Sequence, residues 1–151
     1  MRAIVENRLL ATIRDAWGWI GLEPAEITAE NSFGNLIVRA TDGAYWRICP
    51  EELSCQKIAS DCGEFEAVLQ DDGFQLDWQM ARFFALAEQT LGPVHEGKCY
   101  CLKIPGVIGG KYEPENFGTI SLEELISFSG DLAEQIKDVP DSEQIAIKLV
   151  R

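Results

Sequence analysis

Nucleophilic chemistry needs a base beside the nucleophile and a third group to orient that base. The chain has one histidine, His95, and five cysteines, at positions 49, 55, 62, 99 and 101. Cys99 lies four residues beyond His95, but His95 precedes Glu96-Gly97 in a turn and Cys99 starts a strand pattern. That geometry carries the two side chains apart. A loop histidine exposed to solvent is therefore favoured over a pair of His95 with Cys99 or Cys101. The cysteines are odd in number and include no CxxC pair, and His95 stands apart from the first three. Zinc sites favour close ligand pairs, so these thiols read as reduced and structural, with no metal or cofactor implied.

Two other inventories could do chemistry. Paired carboxylates serve glycosidic acid–base work, but the acids here fall on helix starts and polar faces, where solvation and helix dipoles account for them. Gly106-Val-Ile-Gly109-Gly110-Lys111 has the glycines and lysine of a phosphate loop. Such a loop needs a longer glycine spacing and a Lys-Ser/Thr pair running into a helix. Lys111 instead leads into Tyr112-Glu113-Pro114-Glu115, whose acids and proline oppose both phosphate and helix. A structural loop that reverses the chain after Pro105 fits better. A small-molecule pocket beside Gly109-Gly110, in a non-catalytic or housekeeping binding module, is the alternative. The expectation is a protein that is not an enzyme.

Charge is the more informative property. Lys and Arg total 13 against 25 acids, a net charge of −12. Between Ile58 and Ala81 stand Asp61, Glu64, Glu66, Asp71, Asp72 and Asp77, with no Lys or Arg. Tyr112 to Ile136 holds Glu113, Glu115, Glu123, Glu124, Asp131 and Glu134, again without a base. Like charge at that density repels nucleic acid and anionic lipid and favours a basic partner. The candidate contact patch is Asp61, Glu64, Glu66, Asp71 and Asp72, with Glu113 and Glu115 as the alternative. No apolar run approaches a membrane span and the early residues are charged, so neither a membrane segment nor a signal peptide is expected, and a cytoplasmic location is.

The elements that must carry these residues follow from periodicity. With 46% hydrophobic and 25% charged residues, the chain is expected to form one domain over 1–151, large enough for a real core. Val5, Leu9, Ile13, Trp17 and Ile20 recur at helical spacing and predict a helix over 3–17. Pro24 then opens a polar connector, so that 1–33 form an N-terminal helix and linker. Leu36–Ala40 and Tyr45–Cys49 flank Asp42-Gly43 and predict a hairpin. A two-residue turn there sets Arg39 opposite Trp46 and Ile37 opposite Ile48. Both faces are partly apolar, which places the hairpin inside a larger sheet.

Pro50-Glu51-Glu52 predicts a helix running to about Ala59. A short helix follows over Glu64–Leu69, broken at Asp71-Asp72-Gly73. Leu76, Met80, Phe83, Ala87 and Leu91 then mark one face of a single helix ended by Gly92-Pro93. Lys98–Ile104 alternates as a half-buried strand. Ser121 and Glu124 have the spacing of a capping box before the stripe Leu122, Leu125, Ile126, Ser129, Leu132, Ala133 and Ile136. Ile145, Ile147 and Leu149 suit a last strand. Trp17, Trp19, Trp46 and Trp78 are read as packing anchors. The sum is α+β: mainly antiparallel sheet flanked by several helices.

The order of these parts resembles a known family. Gly43-Ala-Tyr-Trp-Arg-Ile-Cys-Pro50-Glu-Glu-Leu53, then Tyr100, Pro105, Gly109-Gly110, Glu115-Asn116 and the helix Leu122–Ile136 occur in sequence. Together, over 34–137, they resemble the C-terminal domain family of type VI secretion immunity proteins, the partners of Tde-type DNase toxins. The resemblance implies tight stoichiometric binding of a cognate toxin with a basic groove, not turnover. Family members carry a fuller N-terminal glutamate-deamidase-like region than residues 1–33 here, which leaves the toxin class open.

Overall fold

The computed structural model describes residues 2–138. The expected last strand at Ile145, Ile147 and Leu149 lies outside the described residues. Helix α1 (Arg2–Trp17) follows the predicted stripe, with Leu9, Ile13, Ala16 and Trp17 buried. Where a polar connector was expected, Pro24–Glu30 forms strand β1. Ala25, Ile27 and Ala29 are half-buried while Glu26, Thr28 and Glu30 are exposed. A starting proline and an outer row of polar side chains suit an edge strand, and that polarity conceals it in the sequence.

Strands β2 (Leu36–Ala40) and β3 (Tyr45–Cys49) form the predicted hairpin in a different register. The loop is three residues, Thr41-Asp42-Gly43. The Gly43 N–H donates to the Ala40 carbonyl at 3.0 Å and the Ala40 N–H to the Ala44 carbonyl at 2.8 Å. Gly43 takes the left-handed conformation (φ 91°) that closes such a loop. Val38 therefore faces Trp46, Ile37 faces Arg47 and Leu36 faces Ile48. One residue of slip exchanges the faces of a strand. Trp46 consequently packs with Leu36 and Val38 on the main core, and Arg47 shares the opposite face with Ile37.

The helix expected from Pro50 to Ala59 is a single 3-10 turn, Pro50–Glu52, followed by strand β4 (Ser54–Ala59). Leu53 adopts a left-handed conformation (φ 50°), and Cys49 and Ile48 pair with Ser54 and Cys55. The proline and acids start a helix as their chemistry dictates, but the open hydrogen-bonding edge of β3 captures the chain. The result is an antiparallel sheet in the order β1-β2-β3-β4, with the hairpin at its centre.

Helix α2 (Cys62–Gln70) packs beside this sheet, where Tyr45 and Phe65 stack with ring centroids 4.0 Å apart. The single helix expected through Leu76 and Leu91 is two, α3 (Asp72–Gln79) and α4 (Ala81–Leu91). They break at Met80, which is left-handed at φ 47°. The Asn31 side-chain amide donates to the Trp78 carbonyl at 2.9 Å and meets the Met80 sulfur at 3.5 Å. A tertiary contact thus stabilises a break that no glycine or proline announces.

Strand β5 (Lys98–Leu102) pairs antiparallel with β6 (Phe117–Ser121), a strand too short and polar to announce itself by alternation. Both faces of β5 are buried at its centre, unlike the half-buried pattern expected. Cys99 enters the main core, and Tyr100 joins Phe33, Ala87, Leu102 and Phe117. Helix α5 (Leu122–Ile136) has the predicted cap, with Ser121 Oγ accepting from the Glu124 N–H at 3.1 Å. It crosses α1 closely: a Cβ on Gly130 would lie 2.5 Å from the Ala16 carbonyl oxygen.

Candidate functional site

The register of β3 turns Arg47 toward α3, where it becomes the centre of a polar cluster. Its Nε and Nη2 donate to Asn35 Oδ1 at 3.1 and 2.8 Å, and its Nη1 to Asp77 Oδ2 at 2.5 Å. The guanidinium carbon lies 5.8 Å from the Phe74 ring centroid and 5.2 Å from that of Trp78. Asn35, fully buried, donates from its amide nitrogen to Glu51 Oε1 at 2.8 Å. The tight turn before β2 positions Asn35: Asn31 Oδ1 accepts from the N–H groups of Phe33 and Asn35, both at 3.0 Å.

Beside this cluster lies an open cleft of about 550 Å³ between the 3-10 turn Pro50–Glu52, the α3–α4 junction and Tyr112. Glu51 and Glu52 line it together with Leu76, Asp77, Arg82 and Phe83. The Tyr112 hydroxyl donates to Glu52 Oε2, and the Tyr112 ring meets Phe83 at 4.7 Å between centroids. Glu51 is only 5% exposed, and burial pushes its carboxyl above the ordinary range. Burial and the neighbouring carboxylates also push the Tyr112 hydroxyl strongly up. At the rim, Leu76 is 73% exposed.

A second cleft, about 590 Å³, runs between α1 and the start of α5. Its Arg8 and Glu123 already pair at 3.1 Å. Asp15 and Glu124 also line it.

The candidate contact residues are all exposed: Asp61, Glu64, Glu66, Asp71 and Asp72 on α2 and α3, and Glu113 and Glu115 on the loop before β6. Three also hold helix ends. Asp61 accepts from the Glu64 N–H at 2.8 Å, Glu64 from the Ser60 N–H at 2.8 Å, and Asp71 from the Gly73 N–H at 3.1 Å. None of these seven residues lines the cleft, although Asp77 of the same acidic stretch does.

His95 and Cys99 are not brought together as a reactive pair. His95 is exposed in its turn, whereas Cys99 is 1% exposed and burial pushes its thiol up to about 12. Cys101 is likewise raised by burial. Among the described residues, no three His, Cys, Asp or Glu side chains converge as metal ligands. The glycine loop is closed by its own backbone: a Cβ on Gly110 would lie 1.7 Å from the Ile104 carbonyl oxygen. Asn116 fastens it, donating to the Ile104 and Lys111 carbonyls and accepting from the Ile104 N–H, each at 2.9 Å. No helix among the described residues is long and apolar enough to cross a membrane.

Sequence reasoning missed Asn35, Arg47, Glu51, Glu52 and Tyr112 as a group. The Asn31-Ser-Phe-Gly-Asn35 turn signature was there to be read, but the cluster depends on register and on the break at Met80. Among curated proteins, none matches the chain. The stretch from the end of β4 through most of α5, residues 59–133, matches the family described as T6SS immunity protein Tdi1, C-terminal. The chain belongs, through these residues, to that family of type VI secretion immunity proteins.

Proposed function

We propose that this chain binds a cognate toxin in the cytoplasm and neutralises it without turnover, the toxin being a DNase whose basic groove it covers. The observation that supports this most is the acidic, base-free stretch of α2 and α3, whose carboxylates are exposed and fall within the matched segment. Nucleases hold a polyanion in a cationic groove, so an exposed acidic face both speeds encounter and competes with substrate. Retaining a toxin in its own cell calls for a dissociation constant near about 1 nM, or about −12 kcal/mol. An interface of about 1,600 Å² reaches that when a few anchors are well buried.

Co-expression with the toxin tests the proposal: the chain should restore growth and co-purify one to one. Replacing both Asp71 and Asp72 with Lys should slow association and flatten its salt dependence. Unchanged kinetics would remove that patch and leave Glu113 and Glu115 as the alternative. The cleft also favours a second reading, a non-catalytic small-molecule binding module. A ligand screen that raises the melting temperature by several degrees, in a chain that restores no growth, would support it.

A further inference from the structure

We propose that the cleft between Pro50–Glu52, the α3–α4 junction and Tyr112 is an anchor socket for one arginine side chain of the partner. The inference rests on the immunity reading and specifies where a basic toxin is gripped. Its first support is a charge imbalance. Asp77, Glu26 and Glu123 each pair with an arginine of the chain. Glu51 and Glu52, adjacent in the same cleft, form no ion pair among the described residues. Their partners are neutral, the Asn35 amide and the Tyr112 hydroxyl. Arg47 is committed to Asp77 and Asn35, and Arg82, also in the lining, pairs with neither carboxylate.

The walls add a preference for a planar cation. Phe83 and Tyr112 meet at 38° in the same lining as the two carboxylates, with the exposed Arg82 guanidinium 6.0 Å from the Phe83 ring centroid as the group a partner arginine would displace. A guanidinium stacks on such rings and bonds carboxylates through a rigid fork, which an ammonium does less well. Arg47, also in the lining, shows a similar mode, its guanidinium beside the stacked Phe74 and Trp78 rings and ending on oxygen acceptors. Leu76 supplies exposed apolar surface at the rim, which would exclude water around a seated side chain. Asp77, the last acid of the base-free stretch on α2 and α3, lines the cleft itself, so negative charge that steers a basic partner reaches this opening.

The test uses the full chain and, as probe, N-acetyl-arginine amide followed through backbone amide shifts. Saturable shifts at Glu52, Phe83 and Tyr112 are expected, with the neutral isostere N-acetyl-citrulline amide at least about tenfold weaker. Equal response to both probes, or no saturable shift at these residues, overturns the socket. With the cognate toxin, Glu52→Gln should speed dissociation at least about tenfold, and Arg82→Glu, at an exposed position, should tighten the complex. Amide dispersion and melting temperature establish that each variant is folded. Protection of toxin-expressing cells with dissociation unchanged by Glu52→Gln sinks the socket and leaves immunity standing. Selective arginine binding by a chain that protects against no toxin retains the socket and removes immunity.

Discussion

Arg47 of β3 reaches Asp77 of α3 at 2.5 Å, yet the two ends of this ion pair live in different solvents. The Arg47 side chain is 13% exposed and that of Asp77 is 72% exposed. Removing the exposed partner forfeits a screened contact, worth under about 1 kcal/mol. Removing Arg47 strands the buried Asn35 oxygen and uncovers the Phe74 and Trp78 rings beside it. Arg47→Ala should therefore cost about 2–4 kcal/mol and Asp77→Ala under about 1 kcal/mol. Urea unfolding of both variants checks this, and equal costs would refute the asymmetry.

Glu51 couples stability to pH. Its carboxyl titrates above its ordinary 4.5 because burial disfavours the charge. Between 4.5 and that raised value the folded chain binds more protons at this group than the unfolded chain does. The group's contribution is full below 4.5 and is lost as pH rises through the folded value. Glu51→Gln should remove that downward slope. Glu30, exposed at its surface but raised by the partial desolvation of its carboxyl, contributes with the same sign, so the difference between variant and parent isolates Glu51. Parallel stability–pH curves would contradict the assignment.

Gly110 and Asn116 close the loop between β5 and β6 at one point, the Ile104 carbonyl. A methyl group at position 110 collides with the Ile104 carbonyl and forces the loop to open. Asn116→Ala removes three hydrogen bonds that are partly open to water, a cost of about 1–2 kcal/mol. Both variants should gain a protease cleavage site between Pro105 and Asn116, with Gly110→Ala cleaved faster. Digestion patterns matching the parent would show that the loop is held by other contacts.

The thiols should react in order of burial. Cys62 is exposed, while burial pushes Cys55 and Cys99 up to about 12. Iodoacetamide should label Cys62 first and leave Cys55 and Cys99 intact until the chain unfolds. Mass spectrometry of a short time course reads the order directly. Early labelling of Cys99 would revive a reactive cysteine near His95.

Much of the fold was legible because it is local. The stripe of α1, the cap at Ser121 and the strands flanking Asp42-Gly43 rest on spacing and turn chemistry within a few residues. The acidic candidates were legible as exposed for the same reason, since charged helix starts face water. The β4 segment was not, because its Pro-Glu-Glu opening is a sound helix signal outweighed by the free edge of β3. Strand β1 was missed because an edge strand shows too few apolar positions to reveal its period.

The sequence by itself determined the charge, the element types with strong local signals and the ordered motifs that resemble an immunity family. Tertiary structure alone decided the cleft. A three-residue rather than two-residue loop at Thr41-Asp42-Gly43 turned Arg47 toward α3, and an Asn31 contact broke the helix at Met80. Both outcomes depend on hydrogen bonds between residues distant in the chain or on a one-residue choice of register, and no local pattern encodes either.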